Sequence, residues 1–320
     1  MPEPTVSVVI PVYNAARFVT EAVDSVLAQT SPPLEIIVVD DGSTDETRAR
    51  LAPYRGRIQY VLQPNSGTSR ARNRALQAAC GTLIAFLDAD DRWLPEKLAK
   101  QLTCLAANPG VDLVHSDVLH WNDRTGTRKY IPQGRERFTG RCYREFFWHC
   151  RVLTSSVVAT RRCLDEVGVF DEGISGGRAQ DMDLWLRVAR RFSLAFVPEP
   201  LVHYRHHDSN ATRDGARTAE STYHVFRKAL RDDPELWISL GREQVLERMS
   251  RFAFDAAYAY ADAGDLQHAR RYFRSALEYT PGALYLWALW GSAFLPLSVR
   301  ERLRVMKQRS RRRAAKLRPV

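Results

Sequence analysis

Cysteine is scarce in this 320-residue chain: five thiols, at positions 80, 104, 142, 150 and 163, form neither a Cys-x-x-Cys pair nor a zinc ligand set. The odd count excludes a closed disulfide framework, and the pattern reads as buried thiols in a reducing compartment. Long apolar runs are missing too. The longest late stretch, Leu284 to Val299, is broken by Pro296 and falls short of the roughly 20 residues that span a bilayer. The opening MPEPTVSVVIPVYN has no charged n-region, and Pro11 stops its apolar run, so no secretory leader is expected. Glycine (17) and proline (16) are too few for a fibrous or low-complexity chain. Basic excess is absent from most of the sequence: residues 299–320 hold ten Lys or Arg and one acid, Glu301, and so carry +9 of the net +10. The rest is nearly balanced, which excludes a polyanion-binding surface spread over the body, and no nucleic-acid partner is expected.

What is present is core material and a regular alternation. Hydrophobic residues make up 45%, with seven Trp, twelve Tyr and thirteen Phe, enough for a packed interior. The first ninety residues alternate short apolar runs with helical periodicity, the pattern of a parallel sheet wound by crossover helices. Strands are predicted at Val6 to Ile10, Leu34 to Val39, Ile58 to Leu62 and Leu83 to Leu87. Between them, Phe18 to Leu27 repeats at three and four residues, Gly42-Ser43-Thr44-Asp45 supplies turn and cap chemistry, and Asn65-Ser66-Gly67 leads into a helix over Thr68 to Ala79.

Two of these strands, read as adjacent, end in carboxylates: Asp40-Asp41, and Asp88-Ala89-Asp90-Asp91. In open α/β sheets ligands sit at the carboxyl ends of strands. Acids converging there repel one another unless a cation intervenes. Mg²⁺ or Mn²⁺, a hard cation with oxygen ligands, would neutralise them and bridge to a phosphate-bearing substrate. The bland alternative is that Asp40, Asp41 and Asp45 cap a helix while Asp88 to Asp91 fill a turn.

SVVIPVYN (7–14), SVLAQT (25–30), EIIVVDDGSTDET (35–47), NSGTSRARNRAL (65–76) and GTLIAFLDADD (81–91), in that order, resemble the family 2 inverting glycosyltransferases of GT-A fold, over residues 5 to about 210. The resemblance implies an α/β fold, a GT-A type Rossmann-like, mostly parallel sheet domain at 1–215, followed by an α-helical extension at 216–298 and a basic tail at 299–320. It implies a nucleotide-sugar donor and an acceptor hydroxyl. Pro11 and Tyr13 would line the base pocket, Asp41 with Asp40 beside it would take the base edge, and Asp88 would face the ribose. Asp90, second acid of the Asp-X-Asp, would hold the metal, and Arg72, with Arg70 as a weaker candidate, would meet phosphate oxygens.

Downstream, GGRAQDMDLWLRV (176–188) resembles the segment carrying the catalytic acid, here Asp181, with Gln180 where the family usually has Glu. A carboxylate suits a base that takes the acceptor proton, an effect worth typically about 10²- to 10⁴-fold. Asp183 is the structural alternative, an acid early in a helix. In LVHYRHHDSN (201–210) the family register selects His207 for the metal or a phosphate, rather than His203 or His206.

From about 215 onward strand signals vanish. Tyr260, Ala269, Phe273, Ala276 and Pro281 sit at the spacings of one tetratricopeptide-like helix pair with AGD (263–265) in its turn, a partner-docking hairpin or a structural brace. Leu284 to Val299, with Tyr285, Trp287 and Trp290, then precedes the basic tail, a combination suited to lying on an anionic membrane surface. The expected protein is therefore a cytosol-facing, metal-dependent glycosyltransferase, peripheral at the inner face of the cell membrane, with a glycan or lipid-linked acceptor. Two alternatives remain at this point. A sugar nucleotidyltransferase would carry a Gly-rich phosphate loop where Pro11-Val12-Tyr13-Asn14 stands, and a non-catalytic helical scaffold would have lost its acids.

Overall fold

A computed structural model describes residues 4–130, 138–149, 152–174, 178–208 and 214–294. The basic tail, Cys150 and the glycine pair at 176–177 lie outside the described residues. Nine strands form one sheet in the order β3-β2-β1-β4-β8-β6-β9-β5, with β7 pairing β6. They are β1 Val6–Val12, β2 Glu35–Asp40, β3 Gln59–Leu62, β4 Leu83–Phe86, β5 Arg92–Trp93, β6 Val111–Asn122, β7 Arg128–Tyr130, β8 Val158–Thr160 and β9 Ser193–His206. The α/β architecture expected from the sequence is what the chain adopts.

β1 is the centre of a four-stranded parallel half. It runs beside β2 (Val12 opposite Asp40) and beside β4 (Val9 opposite Phe86), and every residue of β1 is buried. Continuous apolar strands are what a parallel sheet covered on both faces requires. The helix Val19–Leu27 packs its Val19, Ala22, Val23 and Val26 against Val8, Ile10 and Val12 in one cluster. Each such fully buried valine is worth about 1.5–3 kcal/mol. The two acid-ending strands are not neighbours, as the sequence reading had them: β1 lies between β2 and β4.

Strand direction decides which segments meet. β8 is antiparallel to β4, β6 is antiparallel to β8, and β9 is parallel to β6. Two reversals restore the direction, so β9 runs with β1, β2 and β4, and its carboxyl end, followed by His207, lies at their edge. β8 begins at that same edge, where the 3₁₀ turn Thr154–Ser156 precedes it. The helix Gln180–Arg191 leads back to the start of β9, so its N-terminus is brought to that edge as well. Arg205, near the end of β9, is buried and salt-bridged to Glu21 at 2.7 Å and to Asp123 at 3.0 Å.

The described chain divides into two compact units, the first ending at Arg213 but including His224–Asp232, the second comprising Asp214–Tyr223 and the chain from Asp233 onward. Within the second, helices Arg242–Asp262 and Leu266–Tyr279 are joined by a short turn at Gly264, and Asp265 caps the latter by accepting from the backbone N–H of His268. Glu220, buried, accepts from the hydroxyls of Tyr260 and Tyr272. The next helix, Leu284–Ser292, buries Leu286 while Leu284, Tyr285 and Trp287 stay exposed. Among the described residues the four cysteines are free: Cys142 and Cys163 are buried as expected, whereas Cys80 is exposed.

The turn after β2 depends on one glycine. Gly42 has φ +77°, and a Cβ there would lie 2.8 Å from the backbone nitrogen of Asn65. Gly42→Ala is expected to destabilise the fold by about 1–3 kcal/mol, the usual scale for a strained non-glycine position, measured by urea denaturation.

Candidate active site

At the end of β2 the chain spends its acids on backbone donors. Asp40 accepts from the N–H of Ser43 at 2.8 Å and from the hydroxyl of Tyr60 at 2.6 Å. Asp41, buried, accepts from the N–H groups of Ser66 and Gly67, both at 2.8 Å, and from the side-chain amide of Gln63 at 2.7 Å. The Asn65-Ser66-Gly67 turn is thus tied to β2 immediately before the helix Thr68–Ala78. Pro11 lies inside β1, opposite Val39, and is buried; Tyr13, just past the strand end, is 50% exposed. Val12 accepts the N–H of Asp41 at 2.8 Å, which puts Tyr13 beside that acid's segment. Asn14 has φ +48°, and its side-chain oxygen accepts from the N–H of Thr44 at 2.8 Å, stitching the β1 loop to the β2 loop. Asn tolerates that conformation better than most residues, the one sequence signal that could have marked it.

A second group stands beyond β4. Arg72, buried in the helix Thr68–Ala78, bonds Asp88 at 2.5 Å, and its Nε is buried without a hydrogen-bond partner. Arg70 turns away, to Glu172 at 2.9 Å, so the weaker phosphate candidate is a surface ion pair. The imidazole Nε2 of His207 lies 3.0 Å from Asp90 Oδ2, and the ring packs on Phe18 with centroids 4.5 Å apart. The carbonyl of Asp90 accepts from Arg205 Nε at 2.9 Å, which fixes the motif to the end of β9. Asp91 is buried beneath it, accepting from Ser155 Oγ at 2.5 Å and the N–H of Arg205 at 3.0 Å.

The remaining candidates separate cleanly. Asp181, in the first turn of the helix Gln180–Arg191, accepts from Thr154 Oγ1 at 3.0 Å. Asp183, two residues on, is buried between Arg187 at 2.9 Å and Lys228 at 2.8 Å, a structural ion-pair cluster. His206 meets His120 at 2.8 Å, and His203 is buried beside Arg92. Burial, with Arg92, Arg128 and Arg205 nearby, lowers the His203 pKa to about 4. Of the three histidines, His207 is the one set against the Asp-X-Asp.

Burial raises the pKa of Asp88 above the ordinary carboxylate value, Asp90 and Asp181 push in the same direction, and Arg72 opposes them. Burial, with Asp90 and Asp88 adding to it, raises Asp91 well above its usual range. Asp88 therefore sits within electrostatic reach of both Asp90 and Asp181. Among the described residues no three His, Cys, Asp or Glu side chains form a ready-made metal cage. The donor set is one carboxylate and one imidazole, Asp90 and His207. That suits Mg²⁺ or Mn²⁺ held largely by substrate phosphates and water, which needs only one or two protein ligands. The expectation that both acid runs surround one cation is corrected at Asp40 and Asp41, whose charges are met by N–H and O–H donors.

In a sheet of this kind the carboxyl edge, here lined with acids, is where a ligand binds. The glycosyl transferase family 2 domain matches residues 7–168, just over half of the chain, and the chain belongs to that family. It is 28% identical over 260 residues to an uncharacterized glycosyltransferase of Rickettsia typhi, covering 78% of this chain and 80% of that one. It is 33% identical over 231 residues to TuaG of Bacillus subtilis, provisionally named a teichuronic acid biosynthesis glycosyltransferase, covering 71% of this chain and 88% of the relative. Its fold is similar to that of the mannosyltransferase PcManGT from Pyrobaculum calidifontis, solved with GDP-Man and Mn²⁺, at a TM-score of 0.57 and 23% identity over 91% of this chain and 86% of that one.

Asp183→Asn is expected to cost about 2–3 kcal/mol in stability by chemical denaturation, below the roughly 3–5 of a fully buried pair because Arg187 and Lys228 keep some solvent. Asp181→Asn should change stability by less than about 0.5 kcal/mol, as for a side chain outside the ion-pair cluster.

Proposed function

We propose that the protein transfers a sugar from a nucleoside-diphosphate donor to an acceptor hydroxyl with inversion at the anomeric carbon. The observation that carries the reading is geometric: His207 lies 3.0 Å from Asp90, and one turn bonds both the backbone N–H of Asp88, through Ser155, and the carboxylate of Asp181, through Thr154, at the same strand edge. Tyr13, half exposed just past β1, offers its ring to the base, Pro11 shapes the strand end beneath it, and Asp41 and Asp40 support the loops around it. Asp88, held by Arg72, faces the ribose. Arg72, salt-bridged to Asp88, sets a guanidinium charge beside the place of the donor phosphates. Asp90 and His207 would hold Mg²⁺ or Mn²⁺, which supplies positive charge against the departing diphosphate. Asp181 takes the proton of the acceptor hydroxyl as its oxygen bonds to the anomeric carbon and the bond to the diphosphate breaks. A single displacement of this kind inverts the centre.

A cell-surface glycan or its lipid-linked precursor is the acceptor class we favour, supported by the biosynthetic name of TuaG. The helix pair Arg242–Asp262 and Leu266–Tyr279 serves as a tetratricopeptide-like brace within the second unit. No described helix is long and apolar enough to cross a membrane. The exposed Leu284, Tyr285 and Trp287, followed in sequence by the basic 299–320 segment, support contact with the anionic inner leaflet instead.

Release of nucleoside diphosphate from a donor panel, with and without Mn²⁺, tests the reading; no release and no donor binding would leave the scaffold alternative. Asp90→Ala should abolish the Mn²⁺ dependence of donor binding, read by calorimetry. Asp181→Asn should keep donor affinity and lose at least about a hundredfold in turnover. The full chain should sediment with phosphatidylglycerol vesicles at low salt and be released by deleting 299–320, each basic residue near the surface contributing about 1 kcal/mol.

A further inference from the structure

We propose that Thr154 is a positioning residue for Asp181, and that the turn Thr154–Ser156 holds the acceptor-side carboxylate in register with the acids beyond β4. The inference rests on reading Asp181 as the base. Thr154 is 3% exposed, and its hydroxyl donates to Asp181 Oδ2 at 3.0 Å. The next residue addresses the other half of the site: Ser155 Oγ accepts from the N–H of Asp88 at 3.1 Å and donates to Asp91 Oδ2 at 2.5 Å. Two consecutive side chains thus reach the candidate base in one direction and the Asp-X-Asp segment in the other.

The turn itself is tightly fixed. Trp93 Nε1 donates to the carbonyl of Ser155 at 2.8 Å, and the side-chain amide of Gln101 donates to the carbonyl of Ser156 at 2.7 Å. Gln101 is in turn held by the buried ammonium group of Lys97, Nζ to Oε1 2.7 Å, with Nζ 4.0 Å from the Trp93 ring centroid. Among the described residues, Asp181 Oδ1 accepts only the short-range N–H of Met182, at 2.9 Å. Contact with the adjacent residue does little to fix the carboxylate's rotation, so its orientation depends on Thr154. A β-branched residue suits this task because its hydroxyl has few rotamers to choose from. The penalty for losing it is large in such sites, since about 1 Å of misplacement costs on the order of a hundredfold.

The test compares Thr154→Val, Thr154→Ser, Asp181→Asn and the Val/Asn double variant in the full chain. The probes are UDP-sugars and GDP-mannose with Mn²⁺, water or a supplied hydroxyl accepting the sugar. Thr154→Val is expected to lower kcat about 10- to 100-fold with donor Kd within about twofold, Thr154→Ser to restore most of the rate, and the double variant to turn over like Asp181→Asn alone, as coupled residues do. Thr154→Ala gives the same deletion if Thr154→Val loses donor binding. Wild-type turnover in the hydroxyl-deleted variant, or multiplying losses in the double variant, overturns the positioning role while leaving Asp181 as base. Wild-type turnover in Asp181→Asn overturns the base itself. A crystal structure of Thr154→Val gives a readout independent of any donor: the Asp181 carboxylate should rotate from its wild-type orientation, and an unchanged one counts against the proposal.

Discussion

Carboxylates gathered along one edge of a sheet repel, and this fold is possible because nearly every one of them has a fixed donor. Asp41 takes two backbone N–H groups from the turn that follows β3, Asp40 takes one from its own turn, Asp88 has a guanidinium, and Asp91 has a hydroxyl and a backbone N–H. Hydrogen bonds to a charged acceptor are worth about 1.5–3 kcal/mol each, and an unmet buried charge costs more than that. The loops at this edge are therefore ordered by the same groups that give them their chemistry. Asp90 meets an imidazole, a group able to share a cation with it.

This division of labour separates support from chemistry. Asp91 and Asp183 look like site residues in the sequence, each one or two places from a family position, yet both are buried and paired. Asp88, Asp90 and Asp181 keep partial exposure. A buried, fully paired acid has no oxygen left for a substrate, whereas a half-exposed one can be oriented by its neighbours and still react.

The fold of the first ninety residues was legible because apolar runs and helical spacing report burial directly; predicted and observed strand limits differ by at most one residue at β2, β3 and β4. The order of the strands was not, since nothing local tells β2 that β1 will stand between it and β4. Motif spelling singled out Asp90, His207 and Asp181 as candidates, while Thr154 and Ser155 carried no mark: short hydroxyl side chains in a polar stretch look like any loop. Their importance comes from long-range partners, Asp181 being 27 positions from Thr154 and Asp88 67 from Ser155. Asp183 was separable from Asp181 only through Lys228, which approaches from a helix 45 residues later.

Arg205 closes the motif through contacts with Asp90, Asp91, Glu21 and Asp123, and the Asp91 contact spans 114 positions. At a translation rate of about 5–20 residues per second, the acids beyond β4 wait roughly 6–20 s on the ribosome before that arginine is made. Until then a nascent chain carries an unclosed acidic edge beside its parallel strands. The part of the chain that the family match covers stops at residue 168, short of both Arg205 and Asp181. Cutting the protein at that limit would leave Asp90, Asp91, Glu21 and Asp123 in a fragment without the arginine that ties them together.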